Sequence, residues 1–183
     1  MKKLIIKYKS VIKFILTFLF AYAILSIGYK LYLDYSSESI YYPDYFTNLV
    51  ARQSEAIFET LGYNAEVVKH TDEPSMKVII ENKFVARVVE GCNSISVIIL
   101  FVSFILAFAD KFKATLIYIL AGASLIYAVN LLRIVILSIG LYHYPWRRDI
   151  LHTIIFPLII YGLVFLLWMF WVRRFAKIHR HNE

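Results

Sequence analysis

The sequence predicts an all-α integral membrane bundle of about four transmembrane helices, with a small α+β extracytoplasmic segment between the first and second. Three observations predict it. Apolar runs of 18 to 28 residues recur along the chain, and about 20 such residues cross a hydrocarbon core. The composition is 60% hydrophobic with a mean hydropathy of +0.64 and only 18% charge, where a soluble domain carries roughly 25%. The charges are also sorted along the chain. Ten of the thirteen acids fall between residues 34 and 91, while both termini are basic.

The elements follow in order. Residues 1–10 form a basic cytoplasmic N-terminus with Lys2, Lys3, Lys7 and Lys9; Lys13 follows just inside the first span, and no acid occurs among the first 13 residues. Residues 11–33 form the first span, 23 residues or about 34 Å of helix, and the lysines hold its start inside. Ala21-Tyr22-Ala23 also reads as a small-residue cleavage site, but the apolar run continues for ten residues beyond it, which favours an anchor. Residues 34–91, with net charge −5, form the extracytoplasmic segment. Within it, Phe46, Leu49, Val50, Ile57, Phe58 and Leu61 recur at helical spacing over 43–61, and Gly62 is a stop. A short strand over 63–69 and a hairpin over 76–80 and 84–89, turning at Glu81-Asn82-Lys83, complete it. This segment is too small for a large core of its own, so it is expected to pack on the bundle.

The second span is read over 92–109 and the third over 114–141, joined by a cytoplasmic turn at 110–113. An outer loop at 142–149 leads to the fourth span, 150–172, which carries Pro157 and Gly162. The tail, 173–183, is basic and cytoplasmic. The formal net charge of +7 is accounted for by such anchoring. Nucleic-acid binding would need a basic face on a fold that presents it, and no such pattern is visible.

Three polar residues then fall at one depth. Cys92, the only cysteine, opens the second span at its outer end. Arg133 lies 19 residues beyond the inner start of the third span, roughly 29 Å up. His152 is the third residue of the fourth span, which starts outside. One cysteine excludes an intramolecular disulfide and a cysteine-based structural zinc site. Each residue has an ordinary reading: a lone cysteine is commonly a small buried hydrophobe, an arginine snorkels, and a histidine sits at an interface without chemistry. Together they suit acyl transfer. A thiolate attacks, a histidine takes and returns a proton, and an arginine stabilises an oxyanion.

Supporting candidates are Asn130, one turn before Arg133, and Asp149, three residues before His152. Asn130 either orients Arg133 or bonds between helices; Asp149 either orients the imidazole or caps the last helix. Asn93 and Ser94, with Ser96, cap the second helix or donate hydrogen bonds. His143, Trp146, Arg147 and Arg148 form the facing loop, where they either shape a substrate groove or are the ordinary aromatic and basic residues of a membrane interface. No metal cluster, phosphate loop or dinucleotide fingerprint appears, and no cofactor is expected.

The ordered pieces Glu90-Gly91-Cys92-Asn93-Ser94-Ile95, Asn130-Leu131-Leu132-Arg133-Ile134, and His152 followed by an apolar helix with Gly162 resemble the exosortase/archaeosortase family of membrane-embedded cysteine transpeptidases. The short chain and its Gly-Cys-Asn-Ser form resemble the exosortase F (XrtF) branch of Bacteroidetes. Many members carry Cys-Ser-Gly where this chain has Cys92-Asn93-Ser94. The resemblance implies a multi-pass protein of the bacterial inner membrane with its active site facing out. It implies Cys92 as nucleophile, His152 as acid/base and Arg133 as the stabilising cation. The implied substrates are exported proteins ending in a short motif, a transmembrane helix and a basic tail, passed to a surface acceptor. Membrane lipid and a membrane partner protein are further implied contacts. Two other readings stand beside it: a purely hydrolytic membrane cysteine protease, and a non-catalytic membrane adaptor or assembly factor.

Overall fold

The computed structural model describes residues 8–36, 40–109 and 111–180, without the side chains of Asp149, Leu151, His152, Phe156 and residues 174–180. Lys2, Lys3, Lys7 and Asp110 therefore lie outside the described residues, as do the tail side chains beyond Arg173. Helix α1, Lys9–Ser36, runs for 28 residues. Its apolar side chains are mostly exposed within the molecule, Phe20 and Leu31 among them, as suits a lipid-facing surface.

The polar segment folds as expected, with sharper boundaries. Helix α2, Tyr45–Thr60, starts where the Asp44 side chain accepts the Thr47 N–H at 3.0 Å. That bond satisfies one of the helix's orphan donors. Gly62, at φ +84, follows its end. Strands β1 (Ala65–Lys69), β2 (Ser75–Ile80) and β3 (Lys83–Val89) form an antiparallel sheet in the order β1-β2-β3. The hairpin between β2 and β3 is tighter than the expected three-residue turn. Ile80 pairs with Lys83, and only Glu81 (φ 49) and Asn82 (φ 62) lie between. Positive φ at both positions is the two-residue turn whose twist matches the strands.

The segment shares its core with the bundle. Val50, Ala51 and Phe58 of α2 and Val67, Met76, Val78 and Ile80 of the sheet pack with Ile134 and Val135. Those two belong to α4, Phe112–His143, a helix of 32 residues or about 48 Å. The expected third span, 114–141, is thus longer at both ends, and His143 is helix rather than loop. The Tyr127 hydroxyl donates to Gln53 Oε1 at 2.6 Å, and Tyr63 Oη meets His143 Nε2 at 3.3 Å. The C-terminal half of α4 is therefore the wall on which the segment rests.

The second apolar run departs most from expectation. Its helix, α3, covers only Ile95–Ala107, 13 residues or about 20 Å. Glu90–Cys92 is a 3-10 turn, and Ser94 sits at φ +65, a conformation that cannot begin an α-helix. Cys92 therefore precedes the helix instead of opening it. Among the described residues three helices are long and apolar enough to cross a membrane: Lys9–Ser36, Phe112–His143 and Thr153–Arg173.

The N-terminal half of α4 packs on α3 and the last helix. Phe101, Ile105, Ile126 and Trp171 are buried together. Gly122 makes room for Phe101, since a Cβ there would lie 2.3 Å from the ring. Phe14 of α1 stacks near Phe104 and Phe108, with centroids 5.3 and 4.4 Å apart. After α4 come a 3-10 turn, Pro145–Arg147, a single helical turn, Arg148–Ile150, and a π-helical turn, Leu151–Ile155. Helix α5, Phe156–Arg180, completes the chain. Pro157 explains the π turn: it lacks an N–H, and its ring clashes with the carbonyl four residues earlier.

Candidate active site

The segment carrying Cys92 is held from both sides. Asn93 is fully buried. Its Nδ2 donates to Tyr29 Oη of α1 at 2.8 Å and to Thr47 Oγ1 of α2 at 3.1 Å. Its Oδ1 accepts the Ile95 N–H at 3.0 Å, which caps α3. Of the capping candidates, Asn93 bonds the first helical N–H and Ser94 does not. The Ser94 hydroxyl donates to the Asn93 carbonyl at 2.6 Å, and no side-chain cap bond is formed. A short side chain in the left-handed region costs about 1–2 kcal/mol, and that hydrogen bond offsets part of it.

From the other side, Asn130 Nδ2 donates to the Cys92 carbonyl at 2.7 Å. Asn130 is fully buried, and its Oδ1 accepts from Arg133 Nη1 at 3.3 Å. The asparagine thus bonds both to the cysteine turn and to the arginine. Arg133 is half-buried, and its Nε is buried without a hydrogen-bond partner among the described residues.

Cys92 and Arg133 line one cavity of about 380 Å³. Residues 85–89 of β3 form one wall, and Ile134, Leu137, Ser138 and Leu141 of α4 form the other. Arg148 and Thr153 close it from the last helical stretch. No carboxylate stands among the described lining residues, and Arg87 is paired with Glu73. Arg133 and Arg148 thus bring positive charge to the cavity wall, which favours an anionic sulfur or a developing oxyanion.

The side chains of His152 and Asp149 lie outside the described residues; their backbones are described. Helix α5 is registered against α4 by the Tyr118 hydroxyl, which donates to the Leu167 carbonyl at 2.6 Å. Arg133 is fifteen residues beyond Tyr118, and His152 is fifteen before Leu167. Arg133 stands roughly 22 Å from that bond along α4, while His152 lies in the π turn ahead of α5. Thr153, next to His152, borders the Cys92 cavity. The π turn that carries His152 is a distortion often found at functional sites.

Glu90, beside the cysteine turn, has its carboxyl pKa raised above the ordinary 4.5, first by burial against the turn and then by the nearby charge of Asp44. It remains largely exposed, so solvent keeps the effect small. Of the loop residues expected to face the site, Arg148 lines the cavity. His143 turns to Tyr63, while Trp146 and Arg147 are exposed beside Tyr144. Ser138, which lines the cavity from full burial, was not singled out by the sequence reading. Its spacing of eight from Asn130 placed it on the same helix face.

A family model described as transmembrane exosortase matches residues 8–172 of the chain. No curated protein and no solved structure matches it.

Proposed function

The chain belongs to the transmembrane exosortase family, and from that premise we propose that it is a membrane-embedded cysteine transpeptidase with Cys92 as its nucleophile. The observation that carries the reading is the shared cavity. Cys92 and Arg133 border it together, linked through Asn130, and Thr153 brings the neighbour of His152 to the same rim.

In this reading His152 takes the thiol proton, and the Cys92 thiolate attacks the scissile carbonyl carbon. Arg133 stabilises the oxyanion of the tetrahedral intermediate. The carbon–nitrogen bond breaks, its electron pair stays on nitrogen, and His152 returns the proton to that amine. A thioester on Cys92 remains. An acceptor amine then attacks it, gives its proton to His152, and leaves with the acyl group as the thiolate is released. Asn130 and Asn93 hold the cysteine turn and stay outside the chemistry. Asp149 orients His152.

The substrates are exported proteins with a C-terminal motif, transmembrane helix and basic tail. The acceptor is a surface molecule bearing a nucleophile. In this reading the short α3 counts as a fourth crossing segment, and the cavity faces outward from a bacterial inner membrane. The Gly91-Cys92-Asn93-Ser94 form favours the exosortase F branch.

The test compares wild type with Cys92→Ala at equal expression in the source cells, reading C-terminal peptides of exported proteins by mass spectrometry. Unprocessed C-terminal helices are expected to accumulate in the variant. Arg133→Ala is expected to slow processing about 100-fold, the size of one lost oxyanion donor. Identical peptide sets, with the variant inserted and the substrates present, would replace the enzyme by a membrane adaptor.

A further inference from the structure

The cavity follows a strand edge. Consecutive residues of a strand point to opposite faces, yet residues 85–89 all border the cavity in unbroken succession. A space touched by five residues in a row runs along the backbone. Among the described residues strand β3 pairs only with β2, which leaves its other edge open there.

His70 N–H donates to the Ser75 carbonyl, and Glu81 N–H donates to the Asn64 carbonyl, both at 2.9 Å. These bonds turn the odd-numbered residues of β2 toward β1. In an antiparallel sheet the bonding side alternates along each strand. Residues Met76, Val78 and Ile80 therefore bond β3, through Val88, Ala86 and Lys83. Arg87 and Val89 are left with their N–H and C=O groups aimed at the cavity. The opposite edge of the sheet is handled differently, since the Val67 N–H of β1 is taken by Glu55 Oε1 at 2.7 Å. An irregularity between Val78 and Ile79 disturbs the pairing near Val85, so the regular open stretch is 86–89, and it leads straight into the Cys92 turn.

The facing wall is also prepared for a polar chain. Three other helix hydroxyls satisfy themselves: Ser54, Thr60 and Ser103 each donate to the carbonyl four residues earlier, at 2.8, 2.8 and 2.7 Å. Ser138 does not, although its Oγ is buried. Arg133 Nε is in the same state, and both residues line the cavity. Thr115 also lacks a partner, but it lies at the far end of α4. Buried polar groups without partners are costly, and here two of them face a volume in the range of ligand pockets.

We propose that the substrate is held as an extended peptide added to the open edge of β3, with Ser138 and Arg133 Nε bonding its main chain from the α4 side. The bound stretch is the one just upstream of the scissile bond. Since the substrate continues into the membrane after that bond, as β3 does through Cys92 and α3, the pairing is parallel. Recognition then rests on main-chain bonds for affinity and on alternate side chains for selectivity. It deepens the acyl-transfer reading and depends on it.

The test uses the full chain in the source cells, with processed exported C-termini as readout and melting of the purified protein as the check on folding. Arg87→Pro removes the outward N–H without touching a bond to β2, as proline allows on an open edge. Processing is expected to fall about tenfold below that of Arg87→Ala. Ser138→Ala is expected to slow processing about five- to tenfold, the worth of one hydrogen bond, and Ser138→Thr to restore it. A packing role predicts the reverse order, since alanine fits a tight site and threonine does not. Should Arg87→Pro fail to fold, the Ser138 pair decides alone. Ser138→Ala at the wild-type rate with Ser138→Thr impaired overturns the proposal. A null effect of Cys92→Ala would sink the acyl-transfer reading itself; processing blocked by Cys92→Ala but untouched by Arg87→Pro and Ser138→Ala sinks the strand docking alone.

Discussion

Replacing Asn93 by alanine tests the idea that the cysteine turn is held rigidly between α1 and α2. The side chain makes three hydrogen bonds, at 2.8, 3.1 and 3.0 Å, and is fully buried. A hydrogen bond contributes about 0.5–1.5 kcal/mol net, and a group left unsatisfied in the interior costs about 1–3. One of the three bonds is also a helix cap, worth about 1 kcal/mol. Tyr29 Oη and Thr47 Oγ1 each keep another way to bond by rotation, so the loss is put at about 2–4 kcal/mol. For a chain of this length each kcal/mol moves the midpoint by about 2–4 °C. The assay is thermal unfolding of purified protein in one detergent, paired with the rate at which iodoacetamide labels Cys92. Asn93→Ala is expected to melt roughly 5–15 °C lower and to label faster below its midpoint. A midpoint within 2 °C of wild type, with unchanged labelling, would refute the claim that Asn93 pins the turn.

Three more expectations follow from the packing and the charges. Gly122→Ala puts a Cβ against the Phe101 ring and is expected to cost about 1–3 kcal/mol; Phe101→Leu in the same chain should recover part of it in the melting assay. Ser94→Gly removes the left-handed strain but also the 2.6 Å bond to the Asn93 carbonyl, so stability should stay within about 1 kcal/mol, whereas Ser94→Val, branched at positive φ, should melt well below wild type. Glu90→Gln is expected to raise the midpoint slightly at pH 7.5. The folded carboxyl has a raised pKa, so its ionised form costs stability above that pKa. The advantage of glutamine should fade as pH falls through the folded pKa and vanish below the unfolded value near 4.5; an advantage that persists at lower pH would contradict the assignment.

What could be read from the sequence was what depends on neighbours in the chain. The spacing of Val50 and Phe58 gave the buried face of α2, and two apolar stretches about the turn at Glu81-Asn82-Lys83 gave the hairpin. The long apolar runs gave the helices, because a helix satisfies its backbone internally. The start of α3 was misread because hydropathy cannot distinguish a helix from an apolar-flanked turn. The break comes from the left-handed Ser94, and the strain there is tolerated because Asn93 is tied to Tyr29 and Thr47, partners 64 and 46 residues away. Equal depth for Arg133 and His152 was a matter of counting residues along the apolar runs. That Asn130 would reach the Cys92 carbonyl was not legible, since it needs the approach of two helices. Ser138 was missed for a related reason. A serine in an apolar run ordinarily bonds back to its own helix, and only the structure shows that this one does not.

The central claim is acyl transfer through Cys92, and a thioester can be caught. Hydroxylamine added to growing cells attacks such a thioester and leaves a hydroxamate on the acyl carbon. The account predicts hydroxamate C-termini on exported proteins at the processing point in wild type and their absence with Cys92→Ala. Normal processing in wild type with no hydroxamate formed, at hydroxylamine concentrations shown to reach the outer face of the membrane, would contradict it.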